Sequence, residues 1–239
     1  MPLAEFTQIT PHIFKLDLPL LGGVMWVGVW LVQSDDGWTM IDTGAPRNAE
    51  TIARATEAHL GGQAPVRIIL THGHYDHAGS LQALQRRWNV PVLAHRAEIP
   101  FLTGQAMYGS VQPAWWGYRL FNLVGGRANR SAPAPVSQAL ADGDVVGGLV
   151  VHHVPGHSPG MVALAHRADR AIIAGDTFVS RGGKLGPPIK IFTARPAESA
   201  RSMRKLAQED FDHLLASHGR PILGNGKPAA DAAATRAGA

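Results

Sequence analysis

Apolar residues recur along this chain in short bursts separated by amphipathic stretches, and the two periods mark out its elements. From Leu18 to Val32 the chain is largely apolar but interrupted by glycines. A membrane span needs roughly 20 continuous apolar residues, so this run predicts a buried strand or a pair of short strands. Met25 to Val32 leads into the turn sequence Asp35-Asp36-Gly37, and Trp38-Thr39-Met40-Ile41 returns, which predicts a hairpin over 25–42. Asn48 is placed to cap a helix through about Leu60, with Ile52, Ala55 and Leu60 on one side and Gly61-Gly62 as its stop. Residues 65–70 predict a strand, His77 to Trp88 a second helix, and Pro91 to Ala94 a further short strand.

After residue 138 the pattern turns strand-rich again. Leu149 to Val154, Met161 to Ala165 and Ala171 to Ala174 predict short strands separated by turn residues. Pro196 to about Gln208 predicts an amphipathic helix with proline at its start, and Phe211 to Ser217 a last strand. The alanine-rich residues 228–239 predict a flexible tail. Helices alternating with strands in two strand-rich halves predict one layered α/β (α+β) domain over residues 1–227. Residues 100–137 break the rhythm: Phe101, Met107, Tyr108, Trp115, Trp116, Tyr118 and Phe121 stand there among glycines and prolines. This stretch reads as a partly helical insertion.

Composition narrows the classes without choosing one. At 239 residues, 45% apolar and 17% charged, the chain can bury a substantial core. Its net charge of +4 is spread out with no dense Lys/Arg run, which argues against nucleic acid as a partner. The absence of cysteine excludes disulfides, thiolate ligands and a cysteine nucleophile. The first residues lack the basic-then-apolar layout of a secretory signal, so the expectation is a cytoplasmic protein without a membrane partner.

Chemistry concentrates in Thr71-His72-Gly73-His74-Tyr75-Asp76-His77, directly after the apolar run 66–70. Imidazoles and carboxylates crowded at a strand end suit zinc and its neighbours. His72 and His74, two apart on extended chain, point the same way, while Asp76 and His77 stand at the turn into a helix. That spacing permits two neighbouring metals, each needing ligands from elsewhere. Three stand at strand ends: His157 in Pro155-Gly156-His157-Ser158, Asp176 in Ala174-Gly175-Asp176-Thr177, and His218 in Ser217-His218-Gly219. His12, His59, His95, His166 and His213 match no motif and are assigned no chemistry. His152 and His153 adjoin the region but alternate on a strand, and are read as non-ligands.

The His-x-His-x-Asp-His signature with these later residues resembles the metallo-β-lactamase superfamily, from about Ile13 to Gly219. The resemblance implies a four-layer αββα sandwich with the metals at one edge of its two sheets. It implies His72, His74 and His157 on one metal, Asp76, His77 and His218 on the other, and Asp176 bridging. Asp42 matches an acidic residue that supports the site from behind its ligands. The expected cofactors are two Zn²⁺ ions, with Fe, Mn or Co as alternatives.

Two ions bridged by Asp176 would hold a water of near-neutral pKa, with Asp76 as both ligand and proton acceptor. The expected activity is hydrolysis of a small ester, lactone or thioester. Alternatives are a mononuclear iron persulfide dioxygenase-like enzyme and a phosphodiesterase. The absence of a tyrosine in Thr177-Phe178-Val179-Ser180 departs from the lactonase pattern. Tyr108, Trp115, Trp116 and Tyr118 of the insertion are the candidate substrate pocket, and Arg119 and Arg127 could meet a carboxylate. The same aromatics would equally serve a homodimer interface.

Overall fold

Successive residues of a strand point to opposite faces, so two large apolar neighbours require cover on both sides of a sheet. The computed structural model, which describes residues 4–108 and 131–238, provides that cover twice. In the first sheet Leu31 and Ile68 face one core while their neighbours Val32 and Ile69 face another. In the second, Ala163 and Ile172 face outward to a third core while Val162 and Ile173 meet the first sheet.

The first sheet contains β1 (Thr7–Gln8), β2 (Ile13–Leu20), β3 (Met25–Ser34), β4 (Gly37–Ile41), β5 (Arg67–Ile69), β6 (Val92–His95) and β7 (Gln138–Leu140), in chain order. Pairing is antiparallel as far as β4 and parallel from β4 to β7. The second sheet is made of β8 (Val145–Val146), β9 (Leu149–His153), β10 (Val162–His166), β11 (Ala171–Gly175) and, after a two-stranded ribbon of β12 (Val179–Arg181) and β13 (Lys184–Gly186), β14 (His213–Ala216). Its order is β14-β11-β10-β9-β8, with β14 parallel to β11.

Helices α1 (Ala49–His59) and α3 (Leu81–Trp88) cover the outer face of the first sheet through Ile52, Ala55, Leu81 and Leu84. Between them α2 (Tyr75–Ala78) is a single turn, and α4 (Ile99–Leu102) follows β6. Helices α5 (Pro196–Ala207) and α6 (Gly226–Arg236) cover the second sheet through Met203, Leu206, Ala230 and Ala233. Helices, sheet, sheet, helices: this is the expected four-layer αββα sandwich.

Three local expectations are corrected. The helix expected over 77–88 is two, because Gly79 donates to Gly44 O at 2.9 Å and a Cβ there would lie 2.4 Å from Pro46 Cδ. Asn48 does not cap α1; its side chain turns back to accept from Ala45 N–H at 2.9 Å. The tail expected over 228–239 is instead mostly α6. Its alanines at 230, 233 and 234 form a buried stripe at helical spacing, small enough to let the helix lie close on the second sheet's core. The domain therefore runs on past residue 227. Of the aromatic insertion, Trp115, Trp116, Tyr118, Phe121, Arg119 and Arg127 lie outside the described residues. Among the described residues no helix is long and apolar enough to cross a membrane.

Candidate metal centre

All the candidate ligands follow strands that end at one edge of the sandwich. The chain leaves β5 through Leu70 and Thr71, presents His72 and His74, and then turns into α2 with Asp76 and His77. His157 comes from the loop joining β9 to β10, Asp176 follows β11, and His218 follows β14 two residues on. Because β11 and β14 are parallel, their carboxyl ends deliver Asp176 and His218 side by side.

The seven side chains converge. Three overlapping groups have ligand atoms within 4.8 Å of one another: His72, His74 and His157; His72, His77 and Asp176; and Asp76, His77 and His218. His74 Nδ1 lies 3.1 Å from His72 Nε2 and 3.0 Å from His157 Nε2. Asp176 faces both ways: Oδ1 is 3.5 Å from His77 Nε2, and Oδ2 is 3.4 Å from His157 Nε2 and 3.5 Å from His218 Nε2. Asp76 Oδ2 lies 3.4 Å from His218 Nε2 and 3.9 Å from His77 Nε2. Two donors each about 2.1 Å from one tetrahedral ion stand roughly 3.4 Å apart, which is the spacing found here. The groups fit a bound cation by another test as well. His77 Nε2 and Asp176 Oδ1 are buried, face each other, and have no hydrogen-bond partner. Buried polar atoms are rarely left so, and a cation between them would satisfy both.

The electrostatics agree. Burial pushes His72 well below the usual imidazole range, His74 down to about 3 and His157 down to about 4. Burial would lower His77 too, but the carboxylates of Asp176, Asp76 and Asp42 hold it up at about 9. Burial likewise opposes charge on His218, yet Asp176 and Asp76 raise it well above its ordinary value. Burial would raise Asp76, but His77 and His218 bring it to about 2. Asp176 is held well below the carboxylate range against burial, chiefly by His218 and His77. The bare cluster thus retains its negative charges and takes protons on two imidazoles in place of metal cations.

Behind the ligands, Asp42 is fully buried in a left-handed backbone conformation (φ 61°), one that aspartate tolerates better than most residues. Its carboxylate accepts from His77 Nδ1 at 2.8 Å and from Thr71 N–H at 2.8 Å. His77 Nε2 is thereby directed into the cluster, the usual way a ligating imidazole is oriented. His218 Nδ1 in turn donates to Trp26 O at 2.8 Å.

Sequence reasoning missed Glu98. It is fully buried between β6 and α4 and ties together the two loops that carry the all-histidine group. Gly73 N–H donates to Oε2 at 3.2 Å, Gly160 N–H to Oε1 at 2.8 Å, and the hydroxyls of Ser158 and Tyr108 complete the set. Burial raises its pKa despite these donors. Its one visible signal is a lone carboxylate in the apolar context Ala97-Glu98-Ile99-Pro100. Tyr108, read as a pocket residue, packs its ring 4.7 Å from that of His74, and its hydroxyl accepts from Gly73 N–H at 2.9 Å. Glycine at 73 makes room for this approach: a Cβ would lie 2.4 Å from that hydroxyl and push the tyrosine back. His153 bonds Pro159 O and stacks on His95, and His152 faces Glu209; neither joins the cluster.

Residues 27–218 match the Lactamase_B family, described as the metallo-beta-lactamase superfamily. The chain belongs to this superfamily. Within it, the chain is 30% identical over 223 residues to the probable metallo-hydrolase YybB of Bacillus subtilis (strain 168), covering 91% of this chain and 92% of that protein. It is 28% identical over 183 residues to the acyl-coenzyme A thioesterase MBLAC2 of Gallus gallus, covering 66% of this chain and 64% of that one. Among solved structures, the metallo-beta-lactamase family protein TTHA1429 from Thermus thermophilus has a TM-score of 0.71 at 22% identity, over 95% of this chain and 79% of that chain. TTHA1623 in a di-iron-bound form has a TM-score of 0.65 at 25% identity, over 88% of this chain and 96% of that chain.

Proposed function

We propose that this protein is a dinuclear metallo-hydrolase that cleaves a small ester, lactone or thioester. The reading rests on one observation above the others: Asp176 Oδ2 stands between the two groups, 3.4 Å from His157 Nε2 and 3.5 Å from His218 Nε2, with Oδ1 3.5 Å from His77 Nε2. A carboxylate so placed can bridge two cations. When bound, such a pair supplies an activated water and a Lewis acid for the substrate carbonyl. His72, His74 and His157 would hold one ion, and Asp76, His77 and His218 the other.

The chain's own groups do the rest. Asp76 stays ionised across physiological pH, and its Oδ2, 3.4 Å from His218 Nε2, is a carboxylate able to receive a proton. Asp42 accepts from His77 Nδ1, so that Nε2 is the nitrogen that would give up its proton and face an ion. Glu98 locks the His72–His74 and His157 loops together, so the all-histidine group keeps its shape as substrate comes and goes. Tyr108 commits its hydroxyl proton to Glu98 and serves to position the Gly73 loop.

A ligand set dominated by imidazoles, with carboxylates in the minority, favours zinc, and the di-iron form of TTHA1623 makes iron the second ion to test. The likeness to the Gallus gallus thioesterase supports an acyl substrate over a phosphodiester. The experiment is metal analysis of the purified protein followed by a panel of lactones, thioesters, aryl esters, phosphodiesters and glutathione persulfide. Two ions per chain with turnover of a carbonyl ester are expected. A single iron with oxygen uptake on the persulfide would overturn the reading.

A further inference from the structure

At the opposite end of the sandwich two more histidines and an aspartate meet. His166 closes β10 and Asp169 stands in the turn to β11, while His12 immediately precedes β2 of the other sheet. Asp176 leaves β11 five residues after Ala171 enters it, so at about 3.3 Å per residue this cluster is roughly 17 Å from the metal centre. Its three ligand atoms lie within 4.8 Å of one another. None of the three residues belongs to the signature that marks the first centre.

We propose that His12, His166 and Asp169 form a separate binding site for a divalent transition-metal ion, which staples the two sheets together. The carboxylate is prepared for it. Asp169 is buried, and its Oδ2 accepts from the Thr10 hydroxyl and from His12 N–H at 2.9 Å, which fixes its orientation and leaves Oδ1 to the histidine ring. Such outer hydrogen bonds to a ligand carboxylate are what aim it at an ion. Both imidazoles approach the same carboxylate, His12 Nδ1 at 2.6 Å from Oδ1 and His166 Nδ1 at 3.6 Å from Oδ2, with ring centroids 5.4 Å apart.

Two imidazoles and a carboxylate suit Zn²⁺, Ni²⁺, Co²⁺ or Cu²⁺ and leave a position for water. Burial lowers the His166 pKa, so that ring is neutral with a lone pair to offer. The Asp169 N–H contact to the same Nδ1 is long, 3.3 Å, and an ion would displace it. The His12 side chain is 45% exposed, free to swing the short distance that exchanges its hydrogen bond for shared coordination. His166 also lines a cavity of about 340 Å³ with His152, Arg167 and Arg170.

The test uses protein already replete with zinc at its first centre. Wild type, His12→Gln and His166→Gln are equilibrated with added Cu²⁺, and the bound copper is counted and examined by electron paramagnetic resonance. Wild type should take up one copper per chain with a nitrogen-coordinated spectrum, and each variant should lose it while retaining the same zinc content. Added zinc should also raise the unfolding temperature of the replete wild type and not of His12→Gln, because an ion that binds only the folded chain stabilises it. Equal copper uptake by wild type and both variants, or a nitrogen signal that survives in them, would overturn the proposal. Since every comparison is made at constant zinc content, failure here leaves the reading of the first centre untouched.

Discussion

Asp42 Oδ2 accepts a hydrogen bond from His77 Nδ1 at 2.8 Å, with both side chains fully buried. The carboxylate stands one residue beyond β4 and the imidazole lies in the turn of helix after β5, so the contact welds two parallel strands to the ligand cluster. Replacing Asp42 by Asn preserves its size but presents an N–H where an acceptor is needed, or turns the amide away from Thr71. Metal affinity of Asp42→Asn, measured by competition with a chelator, should fall roughly 10- to 100-fold with the fold retained. Unchanged affinity would mean that the pair does not orient His77.

Glu98 should prove as sensitive as a ligand although it touches no ion. Glu98→Ala leaves Gly160 N–H and the Ser158 hydroxyl without their carboxylate acceptor in a buried site, while Gly73 N–H keeps the Tyr108 hydroxyl. At about 1–3 kcal/mol for each orphaned group, the variant should lose at least about 2 kcal/mol of stability. Ion occupancy at the His72, His74 and His157 group should drop more than at the Asp76, His77 and His218 group. Glu98→Gln, retaining one good acceptor, should recover part of both losses; chemical denaturation and metal analysis of the two variants check it.

The pH response of the metal-free protein follows from His77. Its pKa of about 9 when folded lies above the unfolded value, so the proton stabilises the fold fully below the unfolded pKa of about 6.5. That contribution is lost as pH rises through 9. His218, raised in the same direction, adds to the effect. Bound metal requires both imidazoles unprotonated, so the loaded protein does not share this loss. The gap between loaded and metal-free unfolding temperatures should therefore widen from pH 6.5 to pH 9, and metal uptake should release protons. Melting curves that stay parallel across this range would contradict the charge assignment.

Helix α6 should carry stability, contrary to the tail expected for it. Ala233 is fully buried against the second sheet's outer core. Ala233→Glu would drive a carboxylate into that contact, with a cost of about 3 kcal/mol or more. Ala232→Glu, at an exposed position on the same helix, is the control and should be nearly neutral. Equal melting temperatures for the two variants would show the helix to be dispensable.

The seven candidate ligands were legible in the chain because each stands at or just after a strand end, and the resemblance they carry implied the four layers. Apolar runs bounded by turn residues made β3 to β6 and β9 to β11 readable, and His72, His74, Asp76 and His77 occupy six consecutive residues whose geometry one strand and one turn decide. His157, Asp176 and His218 were readable because each follows an apolar run that must end at a sheet edge. What no local pattern could encode was settled by packing between distant segments. Glu98 meets Gly73 across 25 residues and Gly160 across 62. His12 meets Asp169 across 157, and the alanine-rich residues 226–236, helix-prone on their own, find their place only against a neighbouring core. Periodicity tells a segment which of its sides is buried, whereas the identity of the partner on that side depends on how the two sheets close.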